Sequence, residues 1–371
     1  MEWAWKQLER MKTLELSAAP AHEASDEAYA TLVYGSLAAS FVGLKVLIHS
    51  LRSVDQRRTI LVLTPHGGLT GALSAADRVQ LTALVDAFPR VQIVGVPPVS
   101  IFRNLSLALC DRGHALNSCG DTAGRSYMFA YSKLAVFSMT NWRRIILLDN
   151  DLLINRPLEV LWSHTALNTK ALLGAVPVIY AHLKTRGARG MVKDPVCRHV
   201  PAQTNGQGEQ IHEPRELLSR GGRFGARFST GVLLVHPSRA LGSIIDGVLE
   251  MARRLPDGRK NACHSEQTLL NELFVKTSPS WVLELVRCLP QSMNCRNPFY
   301  LSDPDFLDVR EKSGCETLYG DKAEGFKRAH EPYILHFACG DKPWINNKTA
   351  ATIYGRRWLT HLRSCDALLR R

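Results

Sequence analysis

The fold follows from one stretch of sequence, Ile145-Ile-Leu-Leu-Asp149-Asn-Asp151. Four apolar residues without polar alternation predict a strand buried on both faces of a parallel sheet, with two carboxylates at its carboxyl end. In an extended chain, side chains two residues apart lie on the same side, so we expect Asp149 and Asp151 to point together. Open α/β sheets bind ligands beyond their strand ends, where two carboxylates suit a divalent cation on a diphosphate. Asp and Asn also form ordinary turns, so this pair alone leaves both interpretations open.

The rest of the chain alternates between strand and helix patterns. Apolar runs predict strands at 29–34, 59–64, 91–96, 172–179, 228–235, 281–286 and 333–337. Apolar residues three and four apart predict helices, among them 44–51, 81–88, 131–137, a helix ending near Arg254, and 265–274. This alternation is typical of the α/β class with a parallel, right-handed, doubly wound sheet. Pro177 indicates an edge or a bend, and Gly231 indicates a close approach by a ligand or another backbone.

Three segments differ from this alternation. Residues 1–27 are predicted to be an N-terminal extension, and 351–371 a basic C-terminal helix. Between them, one large domain is expected over 28–350. Within it, residues 181–227 are basic, glycine-rich and without a clear period, which favours a functional insertion or mobile loop, with disorder as the alternative.

Composition limits the function classes. The chain has 371 residues, a formal net charge of +12 and nine cysteines without a C-x-x-C pair, which argues against a structural zinc site. The basic excess raises the possibility of nucleic-acid binding, but no nucleic-acid motif or interleaved aromatics accompany it, and a diphosphate substrate would account for it equally well. No apolar run is long enough for a membrane span. The lack of a signal or anchor favours the cytoplasm, and an incomplete N-terminus would leave the Golgi lumen open.

Five motifs in order resemble those of glycosyltransferase family 8, the retaining group with a GT-A fold that includes glycogenin and galactinol synthases. The likeness spans about Ala28 to Trp344. The motifs are Ala28-Tyr-Ala-Thr-Leu-Val33, Tyr131-Ser-Lys-Leu134 with Leu148-Asp-Asn-Asp151, Phe228-Ser-Thr-Gly-Val232, Glu266-Gln-Thr-Leu-Leu-Asn271, and His336-Phe337 through Lys342-Pro-Trp344. The resemblance implies a Rossmann-like, mostly parallel sheet flanked by helices, and an enzyme that moves a hexosyl or pentosyl group from a UDP-sugar to an acceptor hydroxyl.

The resemblance also implies roles for individual residues. Asp149, Asp151 and His336 are expected to bind a divalent metal, Mn²⁺, since mixed carboxylate and imidazole ligands suit manganese better than calcium. Lys342 is expected to stabilise the departing diphosphate, with Glu266 or Gln267 next to the reactive sugar. The donor-binding set is expected to consist of Tyr29, Thr31, Lys133, Asp149, Asn150, Gly231, Gly340 and Lys342. Without the resemblance, the histidine would be expected to be structural, the lysines solvated, and the 29–33 run ordinary core.

Three positions depart from the family pattern. Ser229 stands where the family usually has an asparagine that contacts sugar hydroxyls, so the donor sugar is open. Glu266 replaces the commoner aspartate, as in galactinol synthases. Cys339 occupies the position of a family glycine, with Gly340 one residue later. These departures support the alternative of a weakly active or inactive member that serves as a nucleotide-sugar-binding or scaffold module, whereas the complete set Asp149, Asp151, His336 and Lys342 supports an enzyme.

Overall fold

The structure is a computed structural model, and it describes a defined part of the chain. The described residues are 2–14, 26–33, 37–65, 73–97, 126–162, 172–177, 203–204, 210–211, 228–254, 266–271, 273–274, 286–288, 295–296, 333–337 and 342–370. Gly340, Cys339, Ser265, the start of the strand predicted at 281–286 and nearly all of the 181–227 segment lie outside them.

Helices and strands alternate through most of these residues. The helices are α1 (Glu2–Leu14), α2 (Leu37–Val54), α3 (Ala75–Asp86), a 3-10 helix (Ser126–Ser138), α4 (Glu159–Trp162), α5 (Arg239–Arg254), α6 (Glu266–Asn271), α7 (Asn347–Ala351) and α8 (Ile353–Leu369). The strands are β1 (Glu27–Leu32), β2 (Thr59–Pro65), β3 (Val91–Val96), β4 (Arg144–Leu148), β5 (Leu152–Ile154), β6 (Leu173–Pro177), β7 (Gln203–Thr204), β8 (Gln210–Ile211), β9 (Phe228–Val235), β10 (Val286–Cys288), β11 (Cys295–Arg296) and β12 (Ile334–His336).

Within the described ranges, the main sheet has seven strands in the order β10-β6-β9-β4-β1-β2-β3. Its strands pair in parallel except that β9 runs antiparallel to both β4 and β6. The predicted α/β class and mostly parallel sheet are therefore confirmed, but a wholly parallel sheet was wrong. All eight residues of β9 are buried, and burial on both faces gives the same continuous apolar pattern in either direction.

Apolar layers cover both faces of this sheet. On β4, Ile146 and Leu148 pack into one layer, whereas Ile145 and Leu147 pack into the other. Helices α2 and α3 contribute to the first layer, and α1, the 3-10 helix and α5 contribute to the second. The strand that carries the two carboxylates at its end is consequently held rigidly from both sides.

A second, three-stranded sheet in the order β11-β12-β5 begins directly after Asp151. In it, β12 pairs antiparallel with β5, and His336 lies opposite Leu152. Helix α8 covers this sheet through Trp358, which is fully buried and stacks on Trp344 with ring centroids 4.7 Å apart. The pairing of β12 with β5 brings His336 next to the two aspartates.

The bend predicted at Pro177 has a counterpart in the pairing of β6. Its register with β9 shifts between Ala175 and Val176, and among the described residues β10 pairs with β6 as far as Ala175. Pro177 is the last residue of β6 and pairs with Phe228 of β9, so it lies at the end of the strand, next to the register shift. Among the described helices, none is long and apolar enough to cross a membrane.

Candidate active site

The turn between β4 and β5 carries Asp149, Asn150 and Asp151. The Asp149 amide donates to the Gly231 carbonyl at 2.9 Å, and the Phe337 amide donates to the Asp151 carbonyl at 3.1 Å. A Cβ built on Gly43 of α2 would lie 2.3 Å from the Asn150 carbonyl oxygen, so only glycine allows α2 to approach this closely. The two acids converge from a fixed turn rather than from the continuous extended strand that the sequence predicted.

Asp149, Asp151 and His336 form a compact group. One ligand atom from each lies within 4.8 Å of the others. Nε2 of His336 lies 3.1 Å from Oδ1 of Asp151 and 3.9 Å from Oδ2 of Asp149. Oδ1 of Asp151 is buried and makes no well-aligned hydrogen bond with the described residues; its near neighbour there is the His336 Nε2 at 3.1 Å. An unsatisfied buried carboxylate oxygen is costly unless a ligand completes it, so this donor set fits a divalent cation.

Gly231 of β9 makes room for this group. A Cβ at this position would lie 2.7 Å from Cε1 and 2.9 Å from Nδ1 of His336, and 3.3 Å from Oδ2 of Asp149. The close approach that the sequence predicted at Gly231 is therefore made by the imidazole and carboxylate themselves. Any larger residue would push one of the potential ligands away.

Lys342 adds a positive charge to the group. Its Nζ donates to Oδ2 of Asp151 at 2.6 Å, and the ammonium lies 5.0 Å from the centre of the Trp344 ring. Burial alone would raise the pKa of Asp151, but His336 and Lys342 hold that pKa well below its ordinary value. Asp151 is therefore a carboxylate at neutral pH, as a metal ligand must be.

A second charged group lies on the other side of Asp149. Nζ of Lys133 is 2.5 Å from Oε1 of Glu266 and 3.1 Å from Oδ1 of Asp149. Burial lowers the pKa of Lys133, but the two carboxylates raise it above its ordinary value. Burial raises the pKa of Glu266, whereas Lys133 and the Thr230 hydroxyl lower it by a larger amount. Both groups remain charged, and Lys133 is a buried side chain rather than a solvated one.

Gln267 contacts the same region from α6. Its Oε1 accepts a hydrogen bond from the Thr230 amide at 3.2 Å. Asn271, one turn later, holds α6 against β9, because its Oδ1 accepts from the Phe228 amide at 2.7 Å and its Nδ2 donates to the Phe228 carbonyl at 2.9 Å. Gln267 and Asn271 lie four residues apart on α6, and the face of the helix that they share contacts β9.

The remaining predicted donor-binding residues lie in different places. The Tyr29 side chain is not brought to this group: its hydroxyl donates to Asp55 at 2.9 Å and accepts from Trp162 at 3.0 Å, within the core at the amino-end edge of the sheet. Thr31, two residues further along β1, is buried with a hydroxyl that has no hydrogen-bond partner among the described residues. Asn150 is half-buried in the carboxylate turn, and Gly340 lies outside the described residues.

Sequence reasoning gave no role to Thr230, although it contacts three of the predicted site residues. In the Phe228-Ser-Thr-Gly-Val232 motif, Thr230 lies between Ser229 and Gly231, the two residues of that motif to which the sequence analysis assigned a meaning. A threonine in an apolar strand carries no signal of its own, so only the tertiary contacts identify it.

The profile of Glycosyl transferase family 8 matches residues 25–348, which is most of the chain. This protein belongs to glycosyltransferase family 8. Among curated proteins, none matches the sequence significantly. The membership confirms the resemblance found in the motifs, and it makes this chain a glycosyltransferase, in a family whose members use nucleotide-sugar donors.

Solved structures show the same fold. The galactosyltransferase LgtC, in complex with donor and acceptor sugar analogues, is 15% identical with a TM-score of 0.53, and the match covers 91% of this chain and 95% of LgtC. An active-site mutant of LgtC gives 16% identity, the same TM-score and the same coverage. The apo form of the glycosyltransferase GlyE from Streptococcus pneumoniae TIGR4 is 14% identical with a TM-score of 0.50, covering 93% of this chain and 62% of GlyE. The family 8 enzyme thus shares the GT-A architecture of LgtC.

Proposed function

We propose that this family 8 enzyme transfers a hexosyl or pentosyl group from a UDP-sugar to an acceptor hydroxyl, with retention of configuration and with a divalent cation, Mn²⁺. One observation carries the proposal. Two carboxylates and an imidazole converge at the carboxyl end of β4, with a lysine ammonium 2.6 Å from one of the carboxylates. This is the arrangement that a nucleoside diphosphate leaving group requires.

Asp149, Asp151 and His336 would hold the cation, and Lys342 would lie beside it. When bound, the cation supplies Lewis-acid stabilisation of the negative charge on the leaving diphosphate. Lys342 contributes a positive charge to the same task, and its side chain is 25% exposed, so it can contact a bound ligand. Its present partner, Asp151, keeps the ammonium oriented towards the group before a ligand arrives.

Lys133, Glu266 and Gln267 would contact the donor sugar. Glu266 is ionised, and its Oε2 is buried without a hydrogen-bond partner among the described residues, so it is available to accept from a sugar hydroxyl. Lys133 holds the other oxygen of Glu266. The carboxylate is therefore kept in one orientation and charged, which suits it to an electron-poor anomeric centre.

The proposal is tested by calorimetric titration of UDP into the protein with Mn²⁺, with EDTA, and with the variant Asp151→Ala, followed by measurement of UDP released from a panel of UDP-sugars. We expect binding that needs the metal and is lost in the variant, and slow UDP release from one sugar. Asp86→Asn, which removes an exposed carboxylate at the end of α3, should bind UDP like the wild type.

Two outcomes would contradict the proposal. UDP binding that is equally strong in EDTA, or in Asp151→Ala, would show that the acidic group does not act through a cation. No UDP binding and no UDP release under any condition would leave a family member that keeps the fold without its chemistry.

A further inference from the structure

Strand β9 is interrupted where it passes the charged groups. Ala175 of β6 pairs with Leu233, but the next residue, Val176, pairs with Ser229. Residues 230–232 of β9 therefore have no partner on β6, which makes a bulge of three extra residues. On its other side β9 pairs with β4 as far as Val232, which lies opposite Leu148. Bulges of this kind redirect side chains and free backbone amides next to active sites.

Side chains satisfy the amides that the bulge releases from the ladder. The Gly231 amide donates to the Ser229 hydroxyl at 3.2 Å. The Thr230 amide donates to Oε1 of Gln267 at 3.2 Å. Ser229 is buried and its hydroxyl accepts a hydrogen bond within its own strand, so it supports the bulge.

Thr230, the first residue of the bulge, connects three side chains of the proposed site. Its side chain is buried, and its hydroxyl donates to Oε1 of Glu266 at 2.9 Å. The same hydroxyl oxygen accepts from Nζ of Lys133 at 3.4 Å. Together with the hydrogen bond from its amide to Gln267, these bonds connect Thr230 to Glu266 and Gln267 at the start of α6 and to Lys133 of the 3-10 helix.

These contacts determine which atoms remain for a substrate. A backbone N–H can only donate, so the Gln267 atom facing Thr230 is the amide oxygen, and the Gln267 NH₂ group remains as a donor. On Glu266, Oε1 is shared by Lys133 and Thr230, whereas Oε2 has no partner among the described residues. Gln267 and Glu266 thus offer a substrate one donor group, the Gln267 NH₂, and one acceptor, the Glu266 Oε2.

We infer that Thr230 is a positioning residue for glycosyl transfer: its hydroxyl and its bulged amide hold Glu266 and Gln267 so that the Glu266 Oε2 and the Gln267 NH₂ face the donor sugar together. This inference rests on the proposed function. Thr230 acts through the two side chains, so its loss should slow the chemical step more than it weakens binding of the nucleotide.

The test compares Thr230→Val, which replaces the hydroxyl with a methyl group of similar size, with Thr230→Ser, which keeps the hydroxyl. We expect kcat for UDP release from the active UDP-sugar to fall by about 10- to 100-fold in Thr230→Val, as for other small misplacements of reacting groups. The KM for the UDP-sugar, and the affinity for UDP with Mn²⁺, should stay within about threefold of wild type. Thr230→Ser should restore kcat to within about threefold.

Controls separate this inference from the proposed function and from loss of fold. Thr59→Val, at the half-buried start of β2, makes the same chemical change at the amino-end edge of the sheet and should keep wild-type kcat. Thermal unfolding by circular dichroism checks that each variant folds, and if Thr230→Val does not fold, Thr230→Ala replaces it. Wild-type kcat in the hydroxyl-free variant, or an equally slow Thr230→Ser, would overturn the positioning role. A wild-type protein that neither binds UDP nor releases it would instead overturn the proposed function.

Discussion

Replacing Gly231 with alanine should damage the proposed metal site without disturbing the rest of the fold. The new Cβ would lie 2.7 Å from Cε1 of His336 and 2.9 Å from its Nδ1. Ordinary contacts between such atoms begin near 3.4 Å, so the imidazole would have to move by roughly 0.7 Å. Strand β9 cannot easily move instead, because the Gly231 carbonyl accepts from the Asp149 amide, the Gly231 amide donates to the Ser229 hydroxyl, and the next residue, Val232, pairs with Leu148 of β4.

That displacement can be converted into an affinity. Metal–ligand distances tolerate deviations of about 0.2 Å, so a shift of roughly 0.7 Å removes His336 from the coordination shell or strains it severely. Disturbing the residues that orient metal ligands typically lowers metal affinity by about 10- to 100-fold, which corresponds to about 1.4 to 2.8 kcal/mol. We expect an effect of this size in Gly231→Ala.

The assay is calorimetric titration of Mn²⁺ into the protein, with and without saturating UDP. Gly247→Ala is the matched control, since its Cβ would lie 2.4 Å from the Trp3 ring. Trp3 is 45% exposed and belongs to α1, so it can move without touching the acidic group. Wild-type Mn²⁺ affinity in Gly231→Ala, or an equal loss of affinity in Gly247→Ala, would refute the conclusion that the missing Cβ of Gly231 leaves the space that His336 needs to bind the metal.

Two further predictions concern regions away from the proposed metal site. Glu27→Gln removes a carboxylate that is 3% exposed and pairs with Arg58 and Arg144, so it should lower the free energy of unfolding, measured in urea, by about 3 to 5 kcal/mol. The control is Glu159→Gln, at a half-exposed carboxylate, which should lower it by less than about 1 kcal/mol. Equal losses in the two variants would contradict this prediction. Burial, together with the charges of His49 and Arg357, lowers the pKa of His361 to about 4. In the unfolded chain, His361 has its ordinary pKa of about 6.5 and takes up a proton at higher pH than in the folded protein. The melting temperature should therefore fall as the pH drops from about 6.5 to about 4. His361→Gln should show a shallower fall, and an unchanged slope would contradict the assignment.

Much of the fold could be predicted because it depends on local pattern. The strand at Val91–Val96 and the helix ending at Arg254 have the predicted boundaries, since each coincides with an uninterrupted local period. The segment over 131–137 is helical as predicted, but it belongs to a 3-10 helix rather than an α-helix. Hydrophobic spacing over so few residues does not distinguish the two forms.

Some properties of the site required distances that no local pattern contains. The antiparallel direction of β9 is a property of its pairing with β4 and β6, whereas its burial pattern is the same for both directions. Tyr29 looked like a donor contact because it lies in a family motif, but the side chain takes part in the hydrogen bonds of the core through Asp55 and Trp162. Motif position does not specify where a side chain points.

The two aspartates at a strand end, the late histidine and lysine, and the family could all be recognised in the sequence, because each depends on residue types at short spacing. Three contacts became visible only in the folded chain: Lys342 reaches Asp151 across 191 residues, Lys133 pairs with Glu266, and a bulge at Thr230 connects these two side chains to Gln267. Buried charges must be paired, and which partner is near depends on how the strands and helices pack.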